Sequence, residues 1–166
     1  MQKPIFILAF ALLLATHCFG HPAGVKQRVD SLKHATNHIF DKGGMMQRIA
    51  VYKAAAIPYL IDKLDDTTPT AVWNKCKNAN LCVGDLAFIT LTYMTRFPLD
   101  TIIGIELDVV KNNCYPGLFT YIAQNRKTFK QRTATWYTQH RNDQDLLRMS
   151  HAFSLEGLNV WQTEQK

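Results

Sequence analysis

The sequence predicts an all-α fold, a single domain of five to seven helices. Three observations support this prediction. Apolar residues recur at intervals of three and four along most of the chain, which is the period of a helix that buries one stripe. Glycine, proline and aspartate stand where those stretches begin and end. The 166 residues are 47% hydrophobic, which suits one compact domain with its own core.

The stretch 54–66 shows the helical pattern most clearly. Pro58 follows Ile57, and proline is tolerated at the start of a helix because its missing N–H would be unpaired there. The apolar residues that follow the helical period are Ile57, Leu60, Ile61 and Leu64. An Asp-Asp-Thr-Thr-Pro run then ends the pattern. We therefore expect a short helix that faces the core.

Further helices are expected on both sides of this stretch. Gly43 and Gly44 would end the first one, because glycine is common just past a helix terminus. Asp85 would lie in the first turn of a later helix, where the helix dipole favours a negative charge. The polar segment 65–83 is expected to be a long connection that places Trp73 against the core. The expected helices are 25–40, 45–55, 84–97, 102–107, 116–140 and 145–161.

The first twenty residues have the pattern of a secretory signal peptide. Lys3 gives a positive start, residues 5–15 form an unbroken apolar run, and small or polar residues follow. The apolar run is too short to span a bilayer as a helix. We expect cleavage after Gly20, with Ala23 as the alternative. Residues 21–166 would then be one mature helical domain, periplasmic or secreted, that meets a membrane only during export.

Three cysteines remain after cleavage, Cys76, Cys82 and Cys114. An oxidising compartment favours a disulfide between two of them. Cys76 and Cys82 bracket the same predicted connection, so we expect a bridge between them. A bridge between Cys82 and Cys114 is the alternative. Metal binding by the three is less well supported, because no Cys-x-x-Cys pair is present.

Asp30, His34 and His38 are candidate metal ligands. They are spaced four residues apart, so one helix would place them on the same face. Neutral imidazoles with a carboxylate suit zinc or copper. The His-Glu-x-x-His pattern of zinc peptidases is absent, and histidine pairs of this spacing are also common on exposed helices. No other cofactor is indicated.

Cys82 is also a candidate nucleophile. It precedes a predicted helix, whose dipole would lower the pKa of the thiol. His140 or His151 would then act as its base, as in Cys–His enzymes. A structural disulfide is the competing interpretation of the same cysteine, and the favoured one. No Ser-His-Asp signature and no glycine-rich phosphate loop occur in the sequence.

The late part of the chain is basic. The formal net charge is +6 at pH 7, and it falls to +5 when Lys3 is removed with the signal peptide. A basic surface can meet an anionic polymer or an acidic protein, whereas nucleic acid is disfavoured by the export signal. The alternative is an ordinary solvated helix surface whose aromatic residues pack on the core. The candidate binding face consists of Arg126, Lys127, Lys130, Arg132, Trp136 and Tyr137.

Two segments, VYKAAAIPYLIDKLDDTTPT and CVGDLAFITLTYMT, resemble a HEAT-type helical unit of small exported bacterial proteins. That pattern pairs a helix ending in an apolar residue plus proline with a second helix and an Asp-bearing turn. The resemblance covers roughly residues 47–140 and implies a HEAT-like or irregular bundle with a binding surface. The shorter segment LCVGDLAF also resembles the cysteine segment of cell-wall peptidases.

These observations together predict an exported, non-enzymatic helical protein that binds a protein partner, for example as an immunity or inhibitor protein. Two alternatives stay open. One is an enzyme acting on the cell wall through Cys82 and a histidine, or through a metal at His34 and His38. The other is a basic module that binds an anionic polymer through Lys127 and its neighbours.

Overall fold

The computed structural model describes residues 22–104, 117–143 and 146. The predicted signal peptide and, apart from Leu146, the predicted helix 145–161 lie outside the described residues. Three 3₁₀ turns occur at Ser31–His34, Asn37–Phe40 and Lys53–Ala56. The regular elements are α1 (Pro22–Asp30), α2 (Met45–Ala50), α3 (Ile57–Lys63), β1 (Pro69–Asn74), β2 (Ala79–Cys82), α4 (Val83–Met94), α5 (Leu99–Ile103) and α6 (Leu118–His140).

The prediction of an all-α fold is wrong, because part of the expected polar connection 65–83 forms a β-hairpin. β1 and β2 pair antiparallel, with Trp73 opposite Asn80 and Asn74 opposite Ala79. Burial alternates along β1, which is the period of a half-buried strand. The protein is therefore mainly helical with one small two-stranded sheet.

The predicted helix 25–40 begins as a helix but does not continue as one. α1 ends at Asp30, and two 3₁₀ turns follow it. Between these turns Thr36 is extended and forms an isolated parallel bridge with Ala71. The N–H of Ala71 donates a hydrogen bond to the carbonyl of Ala35 at 3.3 Å. This segment thus supports the second edge of β1.

α4 lies at the centre of the core. All of its residues are buried, so α4 buries more of its surface than the single apolar stripe that the helical period predicts. A helix that is buried all round belongs in the interior of a protein. It contacts α2, α3 and β2. Buried apolar residues of the surrounding elements, in the same hydrophobic cluster, are Val29, Met46, Ile49, Leu60, Val72, Ile122 and Phe129.

Two predicted helices, α3 and α6, lie close to their expected places. α3 has Pro58 in its first turn, and α6 runs for 23 residues. α6 contains a kink at Asn125, whose side-chain amide donates to the Tyr121 carbonyl at 2.9 Å. α2 stops at Ala50, earlier than expected. Within the described part of the chain, no helix has both the length and the apolar character that crossing a membrane requires.

The start of α4 approaches the backbone that follows α3 very closely. The N–H of Gly84 donates to the carbonyl of Asp66 at 2.8 Å. A Cβ atom at Gly84 would stand 2.5 Å from the carbonyl oxygen of Leu64 and 2.9 Å from Nη1 of Arg126. Glycine is therefore needed here for lack of space, and not for an unusual backbone angle.

Gly84→Ala is expected to lower the free energy of unfolding by about 1–3 kcal/mol, the usual cost of overpacking a core. Gly24→Ala is the matched control, because a Cβ atom there would have the Tyr52 hydroxyl 3.9 Å away as its nearest neighbour. Urea unfolding at pH 7 measures both variants. Equal stabilities of the two variants would show that the contact between α4 and the end of α3 is looser than described.

Candidate functional site

A buried carboxylate joins the hairpin to two helices. Asp85, in the first turn of α4, is fully buried. Its Oδ1 accepts a hydrogen bond from Nη2 of Arg126 on α6 at 2.8 Å, and its Oδ2 accepts one from Nζ of Lys77 in the hairpin turn at 2.7 Å. Oδ2 also accepts the N–H of Cys82 at 3.1 Å. We call Asp85, Lys77 and Arg126 the Asp85 cluster.

The Asp85 cluster keeps its carboxylate ionised. Burial by itself raises the pKa of Asp85, because a low-dielectric surrounding disfavours the charged form. The hydrogen bonds from Lys77 and Arg126 outweigh burial, so the pKa lies below its usual value. A general base works best with a pKa near the working pH. The cluster therefore suits structural stabilisation better than proton transfer.

Cys82 caps α4. Its Sγ accepts the backbone N–H of Asp85, while the Asp85 carboxylate accepts the N–H of Cys82, so the two residues form a capping box. Burial, and then the negative charge of Asp85, raise the pKa of the thiol. The expected lowering of this pKa by the helix dipole is wrong. Because the thiolate is the nucleophilic form, a thiol held protonated is a poor nucleophile.

The predicted histidine partners of Cys82 have other surroundings. Nδ1 of His140 lies 2.8 Å from the carbonyl oxygen of Trp136, and the two rings stack with their centroids 5.6 Å apart. His151 lies outside the described residues. No hydrogen bond among the described residues joins a histidine to Cys82.

The predicted disulfide between Cys76 and Cys82 is wrong, because Cys82 is a free thiol. Cys82 lies opposite Pro69 at the open end of the hairpin, whereas Cys76 lies in the turn before Ala79. The strand from position 79 to position 82 alone spans about 10 Å, which exceeds the roughly 7 Å that a disulfide allows between Cα atoms. The alternative bridge from Cys82 to Cys114 is excluded by the same free thiol, and Cys114 itself lies outside the described residues.

The candidate metal ligands are not brought together. Asp30 ends α1, and its Oδ1 lies 2.8 Å from Nζ of Lys63. Nδ1 of His38 lies 2.8 Å from Oδ2 of Asp41, and His34 is exposed in a 3₁₀ turn. The spacing fails because the chain leaves the α-helical path after Asp30. Among the described residues, no three His, Cys, Asp or Glu side chains are grouped so that they could hold a metal ion.

The basic side chains of the predicted binding face mostly contact the protein itself. Arg126 belongs to the Asp85 cluster. Nζ of Lys130 lies 3.0 Å from Oδ1 of Asp62 and 2.9 Å from Oδ1 of Asp65, so it joins α6 to the end of α3. Nη1 of Arg132 donates to the last carbonyl of α5 at 2.8 Å. These three cations therefore help to hold α6 in place.

The remainder of that face is one cation and two half-buried aromatic residues. Lys127 is exposed, and its side chain forms no hydrogen bond or ion pair with the described residues. Trp136 packs edge-on against Phe97, with ring centroids 5.5 Å apart. Tyr137 is also half-buried, and burial raises the pKa of its hydroxyl. Of the six predicted residues, three cations thus contact acceptors of the same chain, and both aromatic side chains are half-buried.

The outward side of the hairpin carries an exposed tryptophan. Trp73 is 47% exposed, so the expectation that it packs on the core is wrong. Its cross-strand partner Asn80 is exposed on the same side, and so are Ala71 and Pro69 along β1. We call the outward side chains of Pro69, Ala71, Trp73 and Asn80 the hairpin face.

The backbone behind the hairpin face is bonded on both edges. The N–H of Trp73 donates to Oδ1 of Asn37 at 2.9 Å, and the N–H of Ala71 donates to the carbonyl of Ala35 at 3.3 Å. On the buried side, Oγ1 of Thr70 donates to the carbonyl of Leu81 at 2.7 Å. The indole is therefore presented on a backbone that is already ordered. This surface was not predicted, and residue polarity does not mark it: β1 buries the polar Thr70 and Asn74, while the apolar Trp73 lies outward.

Asp85→Asn is expected to destabilise the protein by about 3–5 kcal/mol, because it leaves two cations next to a buried neutral amide. Asp62→Asn is the matched control. It also removes a carboxylate from a lysine contact, but the Asp62 side chain is 74% exposed. Exposed ion pairs contribute less than about 1 kcal/mol. Urea unfolding at pH 7 separates the two variants, and similar losses in both would contradict the structural role of the cluster.

Asp85→Asn should also flatten the dependence of stability on acid. Because the pKa of Asp85 is lower in the folded than in the unfolded protein, its contribution is complete above the unfolded pKa of about 3.9. That contribution is lost as the pH falls through the folded pKa. Unfolding free energies measured between about pH 7 and pH 2 should therefore fall less steeply in the variant. Parallel curves for the variant and the unmodified protein would contradict the depressed pKa.

The comparisons with known proteins supply no relative. No protein-family model matches the chain. No match was found among curated proteins or among solved structures. The resemblance of residues 47–140 to a HEAT-type unit therefore stays a prediction, and the function has to be inferred from the residues themselves.

Proposed function

We propose that the protein is an exported, non-enzymatic protein that binds a protein partner through the hairpin face. The observation that carries this proposal is Trp73, which is 47% exposed on a strand whose backbone is hydrogen-bonded on both edges. Tryptophan is among the residues enriched at binding hot spots. A side chain on an ordered backbone loses little conformational freedom on binding, so more of its contact energy appears as affinity.

The reactive groups of the core favour binding over catalysis. The Cys82 thiol is buried and has a raised pKa, while the Asp85 carboxylate is buried and has a lowered one. Nucleophilic and acid–base catalysis need the opposite shifts, toward the working pH. Both side chains are used to cap α4 and to attach the hairpin. This is the arrangement of a scaffold that presents a surface.

The charges of α6 disfavour the anionic-polymer alternative. Binding to a polyanion depends on several cations that are free to neutralise its charges. Arg126, Lys130 and Arg132 instead contact acceptors of the same chain at 2.8–3.0 Å. The formal net charge after removal of the leader would still favour an acidic partner over long range. An immunity or inhibitor protein directed at an acidic target is one concrete form of this function.

Trp73→Ala is expected to weaken partner binding at least tenfold, because truncating a hot-spot tryptophan costs about 2 kcal/mol or more. The protein, isolated without its leader, serves as bait in a periplasmic extract, and the dissociation constant of the captured partner is then measured by calorimetry. Val51→Ala is the control, since Val51 is an apolar residue that is 71% exposed on a different element.

Retention of the same partner by the Trp73 variant at unchanged affinity would exclude the hairpin face. Equal loss of binding in the Trp73 and Val51 variants would point to a general effect on the fold, and would also contradict the proposal. A salt titration distinguishes the polymer alternative from protein binding. For a polyanion, the logarithm of the binding constant falls steeply and linearly with the logarithm of the salt concentration.

A further inference from the structure

We propose that a polar groove beside α1 binds the carboxylate group of a small acid or of a peptide terminus. The groove has a volume of about 250 Å³. It is lined by Gly24, Gln27, Arg28, Ser31 and Tyr52. None of these residues belongs to the hairpin face, so this proposal stands independently of the proposed function.

Among the described residues, the lining is rich in hydrogen-bond donors and contains no acidic side chain. The side chains of Gln27, Arg28 and Tyr52 form no hydrogen bond or ion pair within the described part of the chain. Oγ of Ser31 is already used, since it donates to the carbonyl of Arg28 at 2.6 Å. A guanidinium with uncharged donors around it matches the two oxygens of a carboxylate. The chemistry of the groove therefore selects an anion that accepts hydrogen bonds.

Arg28 differs from the cations that stabilise the fold. Lys63, Lys77, Arg126 and Lys130 each contact a carboxylate at 2.7–2.9 Å. Arg28 lines the groove, and no carboxylate of the described ranges 22–104 and 117–143 contacts it. One cation balances the single charge of a carboxylate but not the nearly double charge of a phosphate monoester. A carboxylate is therefore the anion that fits best.

The size of the groove limits the ligand to about one residue. Sites for drug-sized molecules are usually about 300–1,000 Å³, and this groove is slightly smaller. Gly24 lies beside the Tyr52 hydroxyl, since a Cβ atom there would stand 3.9 Å from that oxygen, an ordinary contact distance. A free acid of the size of one amino acid, or the last residue of a peptide, meets this limit.

The test is an NMR titration of the ¹⁵N-labelled protein at constant ionic strength. The probes are N-acetylglycine, which carries the carboxylate, and N-acetylglycinamide, its neutral counterpart. The acid should give saturable shifts in the amide signals of the groove residues, and the amide should not. Arg28→Gln should weaken binding of the acid at least tenfold. Lys127→Gln, which removes an exposed cation of α6 that no described side chain contacts, should leave it unchanged.

A third probe, an acetylated tripeptide ending in a free glycine carboxylate, distinguishes the two sources of the ligand. Affinity equal to that of N-acetylglycine assigns the groove to free acids, and at least tenfold tighter binding assigns it to peptide termini. The proposal is overturned if the neutral amide binds as well as the acid, if the acid gives no saturable shifts, or if the Arg28 and Lys127 variants behave alike. The Trp73→Ala variant should bind the acid normally. The groove proposal can therefore fail without affecting the proposal that the hairpin face binds a partner.

Discussion

One buried carboxylate fixes the position of the hairpin relative to the helices. Asp85 begins α4, and it is contacted by Lys77 from the hairpin turn, by Arg126 from α6 and by the N–H of Cys82. A buried carboxylate without these partners would be strongly unfavourable, so the three partners have to be in place when the chain is folded. Gly84 completes the arrangement, because a Cβ atom there would crowd the carbonyl oxygen of Leu64 after α3.

The surface proposed to bind a partner depends on this constraint. An isolated two-stranded hairpin is at best marginally stable in water. Here the turn is held through Lys77, and the end of β2 is held through the capping box of Cys82 and Asp85. The bridge from Thr36 supports the other edge of β1. Trp73 is thereby held at a fixed place. The buried groups Cys82 and Asp85 serve to hold the hairpin that carries it.

The sequence predicts those features that depend on neighbouring residues. Pro58 and the apolar spacing after it place α3 correctly, because both signals act within two helical turns. The hairpin is missed because its strands are only six and four residues long, and β1 buries the polar Thr70 and Asn74 while Trp73 lies outward. The role of Asp85 is missed because its partner Arg126 lies 41 residues away in the chain. For the same reason the sequence locates the basic residues of α6 but not the acceptors that several of them contact.

The central claim is that Asp85 and Arg126 act as one unit. A double-mutant cycle with Asp85→Asn and Arg126→Gln, followed by urea unfolding at pH 7, measures their interaction directly. We expect a coupling free energy of about 2 kcal/mol or more, within the range for residues of one buried network, because the second substitution removes a charge that the first has already left unpaired. Losses that add to within about 0.5 kcal/mol would mean that the two residues act separately, and would contradict this account of the fold.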